Sequence, residues 1–239
     1  MDTRFDAGLI DIYGGIGRFN RDPMGGYRGA LDYRSVLSFE EQSYWHRMSW
    51  ACGKVVDTMP RYLTRKWGTY IAEEDKFSEN TKKINTELKA LKLAKRFRIA
   101  QRTANLRGNA GIIMLVDDGE DDYSKPIQWK RVKALTGFSK VISCRYLRPD
   151  TYGLWDDLGE DDRPSSFILT QSSQRLTDES GSPIQLMGDR IHGDRVLWFR
   201  GVDLDEDERL RNPLQPGCDD SVLVRFVDVW KRYTLAYEQ

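Results

Sequence analysis

Only two of the 239 residues are histidine and three are cysteine, which removes several kinds of chemistry at the outset. Cys52, Cys144 and Cys218 lie far apart with no CxxC pair. Neither a disulfide framework nor a zinc site is therefore expected, and the thiols read as reduced, in a cytosolic compartment. An excess of one charge is also missing: 37 Lys+Arg balance 37 Asp+Glu, so no global field draws the chain to nucleic acid or to an anionic membrane. The longest apolar run, residues 112–116, is far short of the roughly 20 residues needed to cross a bilayer, and a soluble chain is expected. The first residues, Met1-Asp2-Thr3-Arg4-Phe5-Asp6, lack the charged-then-apolar order of a secretory signal, so export is not expected.

Catalytic signatures are equally sparse. His46 sits inside a helical pattern and His192 in a turn ahead of Arg195, neither with a motif partner. Gly53-Lys54 is followed by Val55, with Met48 where a phosphate-binding loop needs its first glycine, and neither GxSxG nor HExxH occurs. Gly14-Gly15-Ile16-Gly17 lacks the third glycine and the preceding strand of a dinucleotide fingerprint. The Asp-rich loops at 117–122, 156–162 and 203–208 offer hard oxygen ligands but no calcium-loop spacing. No catalytic residue, cofactor or metal is assigned.

What is present divides in two. Residues 1–34 form a Gly-rich arm, with seven of the 20 glycines before residue 30 and scattered aromatics at Phe5, Tyr13, Phe19 and Tyr27. Such a segment loses too much backbone entropy to build a core alone, and it is expected to be either mobile or extended and held by a neighbouring chain or another protein of the assembly. Residues 35–239 read as one α+β domain, a helical N-terminal half packed on a mixed or antiparallel β region. Ser38-Phe39-Glu40-Glu41 is a capping box that opens a helix, and Pro60 is expected to end it. A basic aromatic connector, residues 61–67, follows. Residues 78–107 read as two helices meeting near Leu93-Ala94 and stopped by Gly108. Strands are expected at 112–116, 140–147, 167–171, 184–187 and 195–199. A last helix starts at 219–221, and its apolar positions Phe226, Trp230 and Tyr233 recur at helical spacing. It still reads as helix interior at Gln239, so a longer functional chain is expected.

Residues 76–107 hold ten basic and two acidic residues, a net +8. A solvated face is one reading, a face offered to acid or phosphate another. On the second, Lys82, Lys83, Arg96 and Arg98 are candidates for a subunit interface against acidic surface, and Phe226, Trp230 and Tyr233 are candidates on the last helix.

Four stretches in order resemble the portal, or head–tail connector, proteins of tailed bacteriophages. The first runs from Ser49-Trp50 through Asp57-Thr58-Met59-Pro60 to Arg65-Lys66-Trp67, similar to an opening wing helix with its Asp-x-x-Pro and Arg-x-Trp connector. The second, Arg98-Ile99-Ala100 through Gly108-Asn109-Ala110-Gly111 to Ile112-Ile113, resembles a helix ending in glycine before a strand that displays an aspartate loop. The third is Ile191-His192-Gly193-Asp194-Arg195-Val196-Leu197 on to Gly201, and the fourth Asp220-Ser221-Val222-Leu223 opening the last helix.

The resemblance implies a portal wing-like domain ending in a long helix toward a stem, with the clip, second stem helix and crown of the family not seen. It implies a structural, non-enzymatic subunit of a homo-oligomeric ring, typically of twelve copies, at one capsid vertex. The implied partners are the major capsid protein, an adaptor or neck protein, the terminase large subunit and double-stranded DNA passing through the channel, with no membrane. The implied location is the virion, with assembly in the host cytoplasm. One branch of the family carries a C-terminal phosphoesterase that degrades cyclic oligonucleotides through two His-x-Thr/Ser motifs. Here His46 precedes Arg47-Met48 and His192 precedes Gly193-Asp194, so that activity is not carried over. A metal-dependent enzyme acting on nucleic acid through the Asp-rich loops, or a small virion adaptor module, remain as alternatives.

Overall fold

A computed structural model describes residues 37–68, 79–120, 122–150, 164–170, 189–212 and 214–237. The arm, the acidic stretch 156–162 and the strand expected at 184–187 lie outside the described residues.

Helix α1 (Phe39–Met48) begins with the expected capping box: Ser38 Oγ accepts from the Glu41 amide at 3.2 Å, and Glu41 accepts from the Ser38 amide at 2.7 Å. The single helix expected from Ser38 to Pro60 is instead two. Ser49 is extended, at φ −107° and ψ 118°; it ends α1, and its hydroxyl caps α2 (Trp50–Arg65) at the Cys52 amide. Nor does Pro60 end α2. Proline has no N–H for the Val56 carbonyl four residues back. Asn105 Nδ2, from a neighbouring helix, donates to that carbonyl at 3.2 Å, and the helix runs on through most of the expected connector.

Helices α3 (Glu79–Ala90) and α4 (Leu93–Arg107) meet at Lys92, whose φ of 51° turns the chain. Gly108 ends α4 with φ +100°, and a Cβ there would lie 2.0 Å from the Asp219 carbonyl oxygen, so only glycine fits.

Strand β1 (Asn109–Asp117) is the spine of a four-stranded antiparallel sheet. Its first half pairs with β7 (Val196–Arg200), from Asn109 opposite Arg200 to Ile113 opposite Val196, and with β3 (Ile142–Ser143). Its second half pairs with β2 (Ala134–Phe138) across an irregularity between Leu115 and Val116. The expected strand at 140–147 is broken, because the chain turns at Ser143–Tyr146 and enters a second sheet. That sheet holds β4 (Leu147–Pro149), β5 (Ser166–Leu169) and β6 (Arg190–His192) in that order, all antiparallel. The acidic loop expected at 203–208 contains a short helix, α5 (Glu206–Leu210).

Alternation along β1 separates two cores. Ile112 faces α4, in a cluster with Leu93, Ala100 and Phe138, while Ile113 faces the second sheet, with Leu147, Phe167, Leu169 and Ile191. A third cluster joins α2 to the last helix, α6 (Val222–Tyr237), through Cys52, Val56, Leu223 and Val227. The α+β class therefore stands. The long helix toward a stem is not supported: the described part of α6 has 16 residues, as many as α2, and its first half lies docked against the domain.

Candidate subunit interface

The basic run divides once it is folded. Lys82 and Lys83 on α3 and Arg98 on α4 are exposed. Arg96 is buried: Nε donates to the Leu91 carbonyl at 3.0 Å, and Nη1 to the carbonyls of Phe138 and Ser139 at 3.3 and 2.9 Å. It ties the α3–α4 junction to the end of β2, so it is corrected from a surface residue to an internal clamp. The sequence carried a signal for this, since Arg96 stands three after Leu93 and four before Ala100, on the stripe that packs the sheet.

The aromatic positions of α6 run from the core outward. Phe226 packs against the α2–α6 cluster, with Trp230 stacked on it at 6.0 Å between ring centroids and Tyr233 on Trp230 at 5.8 Å. Trp50, at the start of α2, meets Trp230 edge-on at 6.4 Å, although 74% of its surface is exposed. Val229 and Tyr233 on α6 are also exposed. A contiguous apolar surface of this kind marks an interaction site more often than a solvated face. The buried stripe of α2 likewise continues into solvent: Cys52 and Val56 are fully buried, while Met59 and Leu63, at the following helical positions, are 60% and 61% exposed.

Sequence reasoning missed the polar groups that hold these surfaces in place. Asp219, 3% exposed, accepts from Asn109 Nδ2 at 2.8 Å and from the Nε atoms of Arg200 and Arg209, each at 3.0 Å. Its amide donates back to Asn109 Oδ1, so β1, β7, α5 and the start of α6 meet on one carboxylate. Asp203 accepts from Arg209 at 2.9 Å and also contacts Arg200, which places part of an apparent surface acidic run in an ion-pair network.

A second buried pair, Arg195 to Asp118 at 2.7 Å, closes the aspartate loop, and Arg195 also donates to the Lys125 carbonyl and lies 5.0 Å over the Tyr123 ring. Burial pushes the Asp118 carboxyl up, but amide bonds from Gln128 and Glu120 and the Arg195 guanidinium outweigh it, holding the group below its ordinary value. His46 meets Asp57 at 3.3 Å, and Asp57 takes Arg102 at 2.7 Å, linking α1, α2 and α4.

Among the described residues, no three His, Cys, Asp or Glu side chains gather as a metal ion would require. No helix among them is long and apolar enough to cross a membrane.

Comparison with known proteins gives the same direction. Over 173 residues the chain is 25% identical to the anti-CBASS protein Acb1 of Caulobacter sp. (strain RHG1), covering 71% of this chain and 25% of that protein. The chain thus spans about a quarter of the length of the curated relative it matches. The family model described as phage portal protein matches residues 40–238, from the first turn of α1 to the end of α6 and so across every element above. With that match running through both described sheets and the six described helices, the chain belongs to the phage portal protein family, as a structural protein of a bacteriophage virion.

Proposed function

We propose that the chain is the ring-forming subunit of a portal at a capsid vertex, forming the channel through which double-stranded DNA enters and leaves and the site where adaptor and tail attach. The family match over residues 40–238 carries this reading. The row of exposed Trp50, half-buried Trp230 and exposed Tyr233 supports it, because a cyclic assembly buries two unlike faces of each copy and such rows are what it buries. Lys82, Lys83 and Arg98 then face acidic surface on the adjacent copy, which steers assembly and fixes register more than it adds affinity. Zero net charge suits a channel along which DNA slides, since many phosphate contacts would bind it tightly and in a salt-dependent manner.

The major capsid protein, an adaptor and the terminase large subunit are the partners that follow from this reading, and the arm of residues 1–34 is assigned to a neighbouring chain. Neither histidine of this chain begins a His-x-Thr/Ser motif, so the activity in the name of the curated relative does not extend to it on this reading. Negative-stain imaging of the full chain tests the proposal: rings with a central hole support it, and uniformly monomeric particles contradict it.

A further inference from the structure

The outer edge of β2 is bare. Among the described residues β2 pairs with β1 alone, and no element besides β1 bonds to Ala134, Leu135, Thr136 or Gly137. Ala134, Leu135 and Thr136 are exposed, and a Cβ built on Gly137 would meet nothing within 4 Å. Such an edge offers a row of main-chain N–H and C=O groups to another strand, and folded proteins shorten, twist or cover it. Trp129, just before β2, is also exposed. Residues 128–137 contain three basic residues, Lys130, Arg131 and Lys133, all exposed, and no acidic one; Asp117 stands opposite Ala134 on the inner side, in β1. Arg96 clamps the end of β2 to the α3–α4 junction, which places this edge beside the basic helices.

The arm contains a segment of matching chemistry. Leu9-Ile10-Asp11-Ile12-Tyr13 has the alternation and β-branched residues of a strand and is bounded by Gly8 and Gly14-Gly15. Asp2, Asp6 and Asp11 against Arg4 make this end of the arm acidic. The segment lies outside the described residues, which begin at Leu37, buried in the α2–α6 cluster. Residues 14–36, fully extended, reach about 75 Å, enough to cross to a neighbouring copy. We propose that residues 9–13 of an adjacent copy add to the free edge of β2 as a further strand of the first sheet. Main-chain hydrogen bonds supply the affinity, Trp129 and Leu135 receive apolar side chains, and Lys130, Arg131 and Lys133 receive the aspartates. The proposal rests on the ring reading for the source of the arm, because that reading turns the basic helices, and with them this edge, toward the adjacent copy.

The test is native mass measurement of a full-length Asp11→Cys, Thr136→Cys variant, followed by treatment with a short bis-maleimide and a denaturing gel; Cys52, Cys144 and Cys218 are buried and stay unlabelled. The proposal predicts a ladder of covalent dimers and higher oligomers that neither single variant gives. A closed assembly without the ladder, or with cross-links confined to single chains, overturns the proposal and leaves the ring standing. Single copies by native mass overturn the ring reading and this proposal with it. Hydrogen exchange gives a second readout. In the assembled parent residues 134–137 are protected along both edges, and Ile10→Pro combined with Ile12→Pro, which removes two donors from the added strand, releases the outer edge while the β1–β7 ladder stays protected. Exchange at 134–137 that the prolines leave unchanged, or protection that appears only with added duplex DNA, would also overturn it.

Discussion

The two ends of α6 use similar side chains for different purposes. At its start, buried Asp219 and Asn109 bond each other and partly exposed Arg200 and Arg209, so each of these charges has a partner within the chain. Further along, Trp230 and Tyr233 leave the core for a surface that they share with Trp50 from α2. The first region should set the stability of a single copy and the second its association. Substitutions in the two should therefore separate folding from assembly.

The largest effect is expected from Asp219→Ala, which takes the acceptor from buried Asn109 and leaves Arg200 and Arg209 with exposed Asp203 as their remaining carboxylate. It should cost about 3–5 kcal/mol in denaturant unfolding, because a buried amide loses its partner and a four-membered charge network loses its central carboxylate. Loss below about 1 kcal/mol would show that the hub is wet and dispensable. Leu223→Ala follows, at about 2–4 kcal/mol, since it opens a cavity between α6 and α2 where Cys52 and Val56 leave no slack.

The Asp118–Arg195 pair gives a pH signature. The folded-state value of Asp118 lies below its ordinary 3.8, so its contribution is fully present above that pH and is lost as pH falls through the lower folded value. Acid titration of stability should therefore steepen below about pH 4, and Asp118→Asn should flatten that limb. The smallest effect on folding is expected at the outer surface. Lys82→Glu combined with Lys83→Glu and Arg98→Glu should leave the stability of one copy within about 0.5 kcal/mol yet weaken assembly, most at low salt. Unchanged assembly at both low and moderate salt would return these residues to a solvated face.

Local rules found most of the elements and few of the joints. The capping box at Ser38, the Gly108 stop and the apolar core of β1 were legible because each depends on neighbours in sequence. Pro60 was misread because the group that rescues the Val56 carbonyl, Asn105, lies 49 residues away on another helix. Strand β2 was missed since Ala134, Leu135 and Thr136 are all exposed and it has no inward-facing alternation to read; pairing to β1 alone makes it a strand. Asp203 read as part of an acidic loop and Asp219 only as the start of the last helix, and it is the return of β7 and α5 that brings arginines to them. On the candidate interface, exposure of Lys82, Lys83 and Arg98 followed from composition, while burial of Arg96 required knowing which stripe of α4 meets the sheet.

The central claim is that the aromatic surface spanning α2 and α6 is covered by another copy of the chain. Native mass measurement of the full chain beside a Trp50→Ala, Tyr233→Ala double variant tests it most directly. The account predicts a closed multi-subunit assembly for the parent, and for the variant predominantly single copies whose Tm stays close to the parent's. A parent that remains a single copy, or a variant that assembles as fully as the parent, would contradict it.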